Sequence, residues 1–222
     1  MAAILTKDTS KEEDIIRAAE KVFFSVGFAN AKMEDIAKTA GYSKVTVYSY
    51  FGSKENLYMA LTHKAMQHLI DGLYDCLDRN KGKSGLDTFI AMAENYLCFC
   101  VKYRHYVDLM LNYLSIVRMT VAGEALDKIS QAMQSSIYYR KIRGIQNVTI
   151  DLTVEEIKRG QADGSIKTKK SPWLLHHMMW SMITGYAKVN YQPSADEFIN
   201  ADNNEWKKLM IDTVRGICLG RI

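Results

Sequence analysis

Apolar residues recur at helical spacing along the first third of the chain, in short runs closed by glycine or serine. Ile15, Ala19, Val22, Phe23 and Val26 form one stripe that stops at Gly27, and the S-x-x-E of residues 10–13 opens it as a capping box. Ile36, Ala37 and Ala40 form a second stripe ended by Gly41, a residue suited to the left-handed position that stops a helix. Ser43 can cap a third helix running from Lys44 to about Phe51, with Val47 and Phe51 turned inward and Gly52 and Ser53 closing it. From Ser53 onward, Leu57, Leu61, Ala65, Leu69, Leu73 and Cys76 predict one long helix to about Leu77, ended by the polar linker of residues 78–85. The rest of the chain predicts further helices over about 121–139, 153–162, 173–191 and 205–220. Residues 86–117 are dense in aromatic and sulfur side chains, and 148–154 is the only strand-like run.

The third of these helices is unusual on its outer side. Lys44, Val45, Thr46, Tyr48, Ser49 and Tyr50 face away from the Val47 and Phe51 stripe. A solvated surface normally shows Glu, Lys, Gln and Ala, which lose little side-chain freedom in a helix. β-Branched and aromatic residues at positions no core requires imply another contact, and hydroxyls with one lysine on a short helix after a tight turn suit a DNA major groove.

The run S-K-V-T-V-Y-S-Y-F-G-S-K-E-N-L at residues 43–57, with I-A-x-x-A-G before it, closely resembles the DNA-binding motif of TetR-type transcriptional regulators. The resemblance covers roughly residues 12 to 60, and the remaining three-quarters match in architecture alone. It implies an all-α chain, with an N-terminal three-helix helix-turn-helix domain over residues 1–52 and a larger helical ligand-binding and dimerisation domain over 53–222. It also implies double-stranded DNA as a partner. Lys32, Tyr48, Tyr50 and Lys54 would hold phosphates, while Val45, Thr46 and Ser49, on the helix that Lys44 begins, would face base edges. Lys32 departs from the family, which usually carries a threonine before the second helix. The hydroxyl cap is lost, but a lysine there can still reach a phosphate.

Charge refines this picture without deciding it. The 222 residues carry a formal net charge of +4, and residues 1–64 hold nine cations against eight acids, so DNA affinity would rest on how charge is distributed. Cys76, Cys98, Cys100 and Cys218 follow no metal-ligand spacing, and His63, His68, His105, His176 and His177 form no i, i+4 pair around an acid. No nucleophile elbow, P-loop or dinucleotide fingerprint occurs, so neither an enzyme nor a cofactor is expected. Residues 1–10 have no secretory apolar segment, and the uncharged run 171–187 is short and interrupted by Pro172 and two histidines. No membrane partner is expected, and the cytoplasm is the expected compartment.

Tyrosine and methionine together suit an adaptable pocket for a bulky apolar molecule, although most aromatic stripes on helices are only core. Phe89, Met92, Tyr96, Phe99, Tyr103, Met110, Tyr113, Met133, His176 and Met179 are the candidate ligand-pocket residues. Wide apolar faces on the last two helices, Leu174, Met178, Ser181, Met182 and Gly185 on one, Trp206, Leu209, Met210, Val214, Ile217 and Cys218 on the other, fit the four-helix homodimer interface of the family. The expected function is a dimeric repressor that binds a palindromic operator and is released by a small, mostly apolar effector. The alternative is a helical DNA-binding factor whose C-terminal domain serves only assembly or protein contacts.

Overall fold

The structure is a computed structural model that describes residues 9–121, 135–189 and 203–221. Among the described residues it is helical, without strands: α1 (Thr9–Asn30), α2 (Met33–Ala40), α3 (Lys44–Phe51), α4 (Lys54–Arg79), α5 (Gly85–Lys102), α6 (Arg104–Val121), α7 (Ile137–Ile145), α8 (Val148–Ala162), α9 (Pro172–Val189) and α10 (Asn203–Cys218). The all-α class, with an N-terminal helix-turn-helix and a helical remainder, is as expected. None of the described helices is long and apolar enough to cross a membrane.

Packing groups the chain into two compact units. The first comprises residues 1–66 and 108–144, the second 67–107 and 145–222. The first unit is built on Ile15, Ala19, Phe23, Ile36, Val47, Phe51, Leu57 and Leu61, all buried. Fully burying a side chain such as Ile36 or Leu57 contributes about 1.5–3 kcal/mol. Gly27, at φ 77 and ψ 160, breaks the regular course of α1, and Phe28 then packs on Phe23 and Tyr58 at ring separations of 5.6 and 4.8 Å.

In the second unit α5 is central, packing against α8, α9 and α10. Its buried face, including Phe89, Met92, Ala93 and Tyr96, faces that core as one stripe. The start of α5 lies against the end of α8, where Gly85 and Gly160 allow backbones to touch. The exposed N–H groups of that helix start find partners in the turn after α8. Gly85 N–H donates to Asp163 at 2.8 Å and Leu86 N–H to the Ser165 hydroxyl at 3.0 Å. The Ser165 hydroxyl and the Gly85 and Ser165 N–H groups hold the Asp163 carboxyl down to about 2.

Several sequence expectations are corrected here. Residues 148–154 are the first turns of α8, not a strand, so that helix begins five residues before the expected Thr153. The run 86–117 is divided at Tyr103, whose φ of −118 and ψ of 45 separate α5 from α6. The first helix already includes Thr9, so Ser10 is not its cap. The helix expected over 121–139 falls largely on residues outside the described ones, and α7 runs on to Ile145.

Candidate nucleic-acid interface

Three residues make the turn between α2 and α3, and each has a local reason. Gly41 takes the left-handed conformation (φ 75, ψ 22), which lets its N–H and that of Tyr42 return to the carbonyls of Lys38 and Ala37 at 3.3 and 3.0 Å. Tyr42 donates its hydroxyl to Asp14 of α1 at 3.0 Å, fixing the turn to its support. Ser43 caps α3, its oxygen accepting from Thr46 N–H at 3.1 Å. Val47 and Phe51 are then carried inward and are buried. Replacing Phe51 by alanine would cost about 3–5 kcal/mol by the usual scale of such cavities.

The opposite face of α3 is open. Val45 is 79% exposed and Tyr48 40%, Ser49 is exposed, and Thr46 and Tyr50 are half-buried. Ser49 donates its hydroxyl to the Thr46 carbonyl at 2.7 Å, while the Thr46 and Ser43 hydroxyls lie 2.9 Å apart. Lys44 pairs with Glu34 of α2, which holds the carboxyl below and the ammonium above their ordinary ranges. The Lys44 ammonium also sits 5.6 Å from the centre of the Tyr48 ring. Lys32 is exposed at the start of α2 in extended conformation, with no side-chain cap.

Lys54 is turned the other way. Its ammonium donates to the carbonyls of Phe28, Ala29 and Ala31 at 2.8, 3.3 and 3.0 Å and lies 4.6 Å from the Phe28 ring centre. Carbonyls left without helical partners after the break at Gly27 attract such a cation.

Residues 15–61 match the family model described as bacterial regulatory proteins, tetR family. Over this segment the chain is similar to the TetR family. It is 30% identical over 96 residues to the HTH-type transcriptional activator FasR of Mycolicibacterium smegmatis, a match covering 41% of this chain and 43% of FasR. The chain thus matches less than half the length of that relative. Two solved structures share the fold across nearly the whole chain. A TetR-family transcriptional regulator from Mesorhizobium loti has a TM-score of 0.66 at 19% identity, covering 97% of this chain and 98% of its own. The regulator FadR from Bacillus subtilis, in complex with stearoyl-CoA, has a TM-score of 0.61 at 18% identity, covering 95% and 99%.

The candidate ligand residues are distributed over both units. In the second, Phe89, Met92, Tyr96, Phe99, His176 and Met179 are buried and Tyr103 is half-buried. Phe89 and Met179 line a narrow void of about 10 Å³ with Leu175 and Met182. Phe99 and Tyr103 instead border an open cleft of about 340 Å³ with His68 and Cys98, where His68 meets the Tyr103 ring edge-on at 4.5 Å. The Tyr96 hydroxyl lies 2.9 Å from that of Thr184. His176 Nδ1 is buried without a hydrogen-bond partner, and burial, with neighbouring His177, pushes its pKa down to about 4. Met110 and Tyr113 belong to the first unit, and the Tyr113 hydroxyl there is also buried without a partner. Met133 lies outside the described residues. Among the described residues no group of three or more His, Cys, Asp or Glu side chains is placed to hold a metal.

Two supports of α3 were absent from the expected set. Tyr42 follows Gly41 directly and anchors the turn. Asn56 donates to the Phe51 carbonyl at 2.7 Å, and the S-x-x-N spacing from Ser53 is the signal that marks it.

Proposed function

We propose that the chain is a ligand-responsive transcriptional repressor that acts in the cytoplasm and binds a palindromic operator as a homodimer. Residues 1–52 read DNA, and residues 53–222 bind the effector and dimerise. The exposed face of α3 carries this reading, above all Val45, 79% exposed on the first turn of a capped helix whose other side is core. Val45, Thr46 and Ser49 face base edges, and Lys32, Lys44, Tyr48 and Tyr50 meet phosphates. Lys54 contributes from behind, by fixing the α1–α2 junction through three carbonyls.

Dimerisation is supported by the outer stripes of α9 and α10. Trp173, Leu174 and Leu209 are exposed, whereas Met210, Val214, Ile217 and Cys218 are occupied within the subunit core. Two copies joined there engage two half-sites at once, which raises affinity without any new base contact.

The effector is a small, mostly apolar molecule. Within the second unit, His176 Nδ1, buried without a partner, supports a ligand that supplies a polar atom to otherwise apolar surroundings. The stearoyl-CoA complex of the FadR neighbour supplies the first probe. A second reading, in which the C-terminal part serves assembly alone, is favoured by the 10 Å³ void at Phe89 and Met179, which has no room for such a molecule.

Enrichment of a random-sequence duplex pool on the purified protein tests the DNA reading, and a two-fold symmetric consensus is expected. Enrichment of no sequence overturns it. Titrating stearoyl-CoA and shorter acyl thioesters against the bound duplex then separates the two readings: release supports the effector, and no release by any of them supports assembly alone.

A further inference from the structure

Helix α7 reaches the end of the reading helix from a distant part of the sequence. Ser136 caps α7, its hydroxyl oxygen accepting from Tyr138 N–H at 3.1 Å and Tyr139 N–H at 3.2 Å. The same hydroxyl donates to Asn56 Oδ1 at 2.5 Å. Asn56 uses its amide nitrogen on the Phe51 carbonyl, the last of α3. An unbroken hydrogen-bond chain therefore runs from the α7 backbone to the α3 backbone.

Tyr138 makes a second connection through its side chain. Its ring stacks on that of Phe51, 6.1 Å away and inclined by 20°, and its hydroxyl donates to Glu12 of α1. The ring is 6% exposed, with the Lys141 ammonium 4.8 Å from its centre. Burial, together with the Glu12 carboxylate that receives its proton in the hydrogen bond, pushes the phenol well above its ordinary range, so it stays a donor.

Both connections converge on Phe51, through carbonyl and ring. Phe51 is 1% exposed and stands one helical turn from Val47, the other residue that seats α3 on its support. In a close-packed interior a side chain so placed transmits a displacement because no void absorbs it. Glu12, at the far end of the Tyr138 hydroxyl, fixes the ring against α1, so that α7 grips α3 relative to the helix behind it.

We propose that Ser136 and Tyr138 are positioning residues for DNA reading: they touch no DNA, and they set the attitude of α3 by holding Phe51 and Asn56. The inference rests on the DNA-binding reading above. A positioning role alters discrimination between sequences, because a misaligned helix loses base-edge geometry while keeping its phosphate attraction. A merely structural role lowers thermal stability and leaves discrimination intact.

The test uses the full chain, a duplex enriched from a random pool by the wild-type protein, and a scrambled duplex of the same composition. Affinity for both is measured for wild type, Tyr138→Phe, Tyr138→Ala and Ser136→Ala, beside thermal melts. Tyr138→Ala and Ser136→Ala are expected to reduce the enriched-over-scrambled ratio by about fivefold to tenfold, in the range of ordinary coupling between sites. Tyr138→Phe, which keeps the stack, should retain most of the ratio. A folded Tyr138→Ala and Ser136→Ala that melt lower with an unchanged ratio overturn the inference. If Tyr138→Ala does not fold, an unchanged ratio in Ser136→Ala overturns it alone. If the wild type enriches no sequence, the DNA-reading proposal fails first and this inference falls with it.

Discussion

Gly85→Ala should be strongly destabilising, because a Cβ there meets backbone rather than a yielding side chain. Gly85 is the first residue of α5, so alanine suits its backbone, and the cost comes from space alone. A Cβ there would lie 2.1 Å from Gly160 N, 2.3 Å from Gly160 Cα and 2.9 Å from Arg159 C, all backbone atoms of α8. Non-bonded heavy atoms settle near 3.5 Å, so the two helices must part by roughly 1.4 Å at this point. Overpacking of this kind costs about 1–3 kcal/mol. The same separation stretches the 2.8 Å Gly85–Asp163 and 3.0 Å Leu86–Ser165 hydrogen bonds, each worth about 1 kcal/mol. The expected loss is then about 3–5 kcal/mol, or a fall in melting temperature of about 10 °C for a chain of this size. Gly72→Ala is the matched control. A Cβ at Gly72, inside α4, meets only Asn95 Oδ1 at 3.5 Å, ordinary contact, so alanine should stabilise by up to about 1 kcal/mol through its helix propensity. Urea unfolding followed by far-UV circular dichroism reads both. A Gly85→Ala protein within about 1 kcal/mol of wild type would refute the reasoning, since α8 could then yield to a backbone clash without loss.

Three further outcomes are expected. Tyr48→Phe should weaken binding to enriched and scrambled duplexes alike, by about 1 kcal/mol, because its hydroxyl is assigned to a phosphate; loss confined to the enriched duplex would make it a base reader. A charged residue at Leu209 should give a folded monomer by sedimentation with weakened operator binding, since Leu209 is 63% exposed and the protomer core does not need it; a folded dimer would place the interface elsewhere. His176, at about 4 in the folded state against 6.5 ordinarily, binds its proton more readily when unfolded, so its contribution is present above pH 6.5 and lost as pH falls from 6.5 towards 4. About 2 kcal/mol should be lost from this group by pH 5, and His176→Leu should remove that part of the acid sensitivity in urea melts at pH 7 and 5; an unchanged pH dependence in the variant would contradict it.

The short N-terminal helices were legible because local chemistry decides them. Gly41 and Ser43 sit at the left-handed stop and the cap that their side chains permit, and Val47 and Phe51 turn inward as their spacing requires. Residues 148–154 misled for the same reason in reverse: β-branched residues suggest a strand, but Thr153 and Ile157 are buried at i, i+4 spacing in α8 and tertiary packing overrides the preference. The orientation of Lys54 was not legible, because nothing in K-E-N-L tells that the chain leaves three carbonyls around Phe28 for its ammonium to meet. Nor were the links from Ser136 and Tyr138 to Asn56, Phe51 and Glu12, which join positions far apart in sequence and leave no local period.

The cations that already have partners have a consequence for how salt would act on DNA binding. Where a free lysine meets a phosphate, condensed counterions leave the duplex, and the logarithm of affinity falls by about 0.9 per contact for each unit of log salt. Arg17, Lys44 and Lys64 already face Asp14, Glu34 and Glu20, and Lys54 faces carbonyls. A lysine that must leave its carboxylate to reach DNA exposes that carboxylate to the same salt ions that the phosphate gives up, so the exchange nearly cancels. The salt slope of binding should therefore count fewer contacts than the nine cations of residues 1–64 suggest, and recognition would tolerate changes in ionic strength that displace a more openly charged reading head.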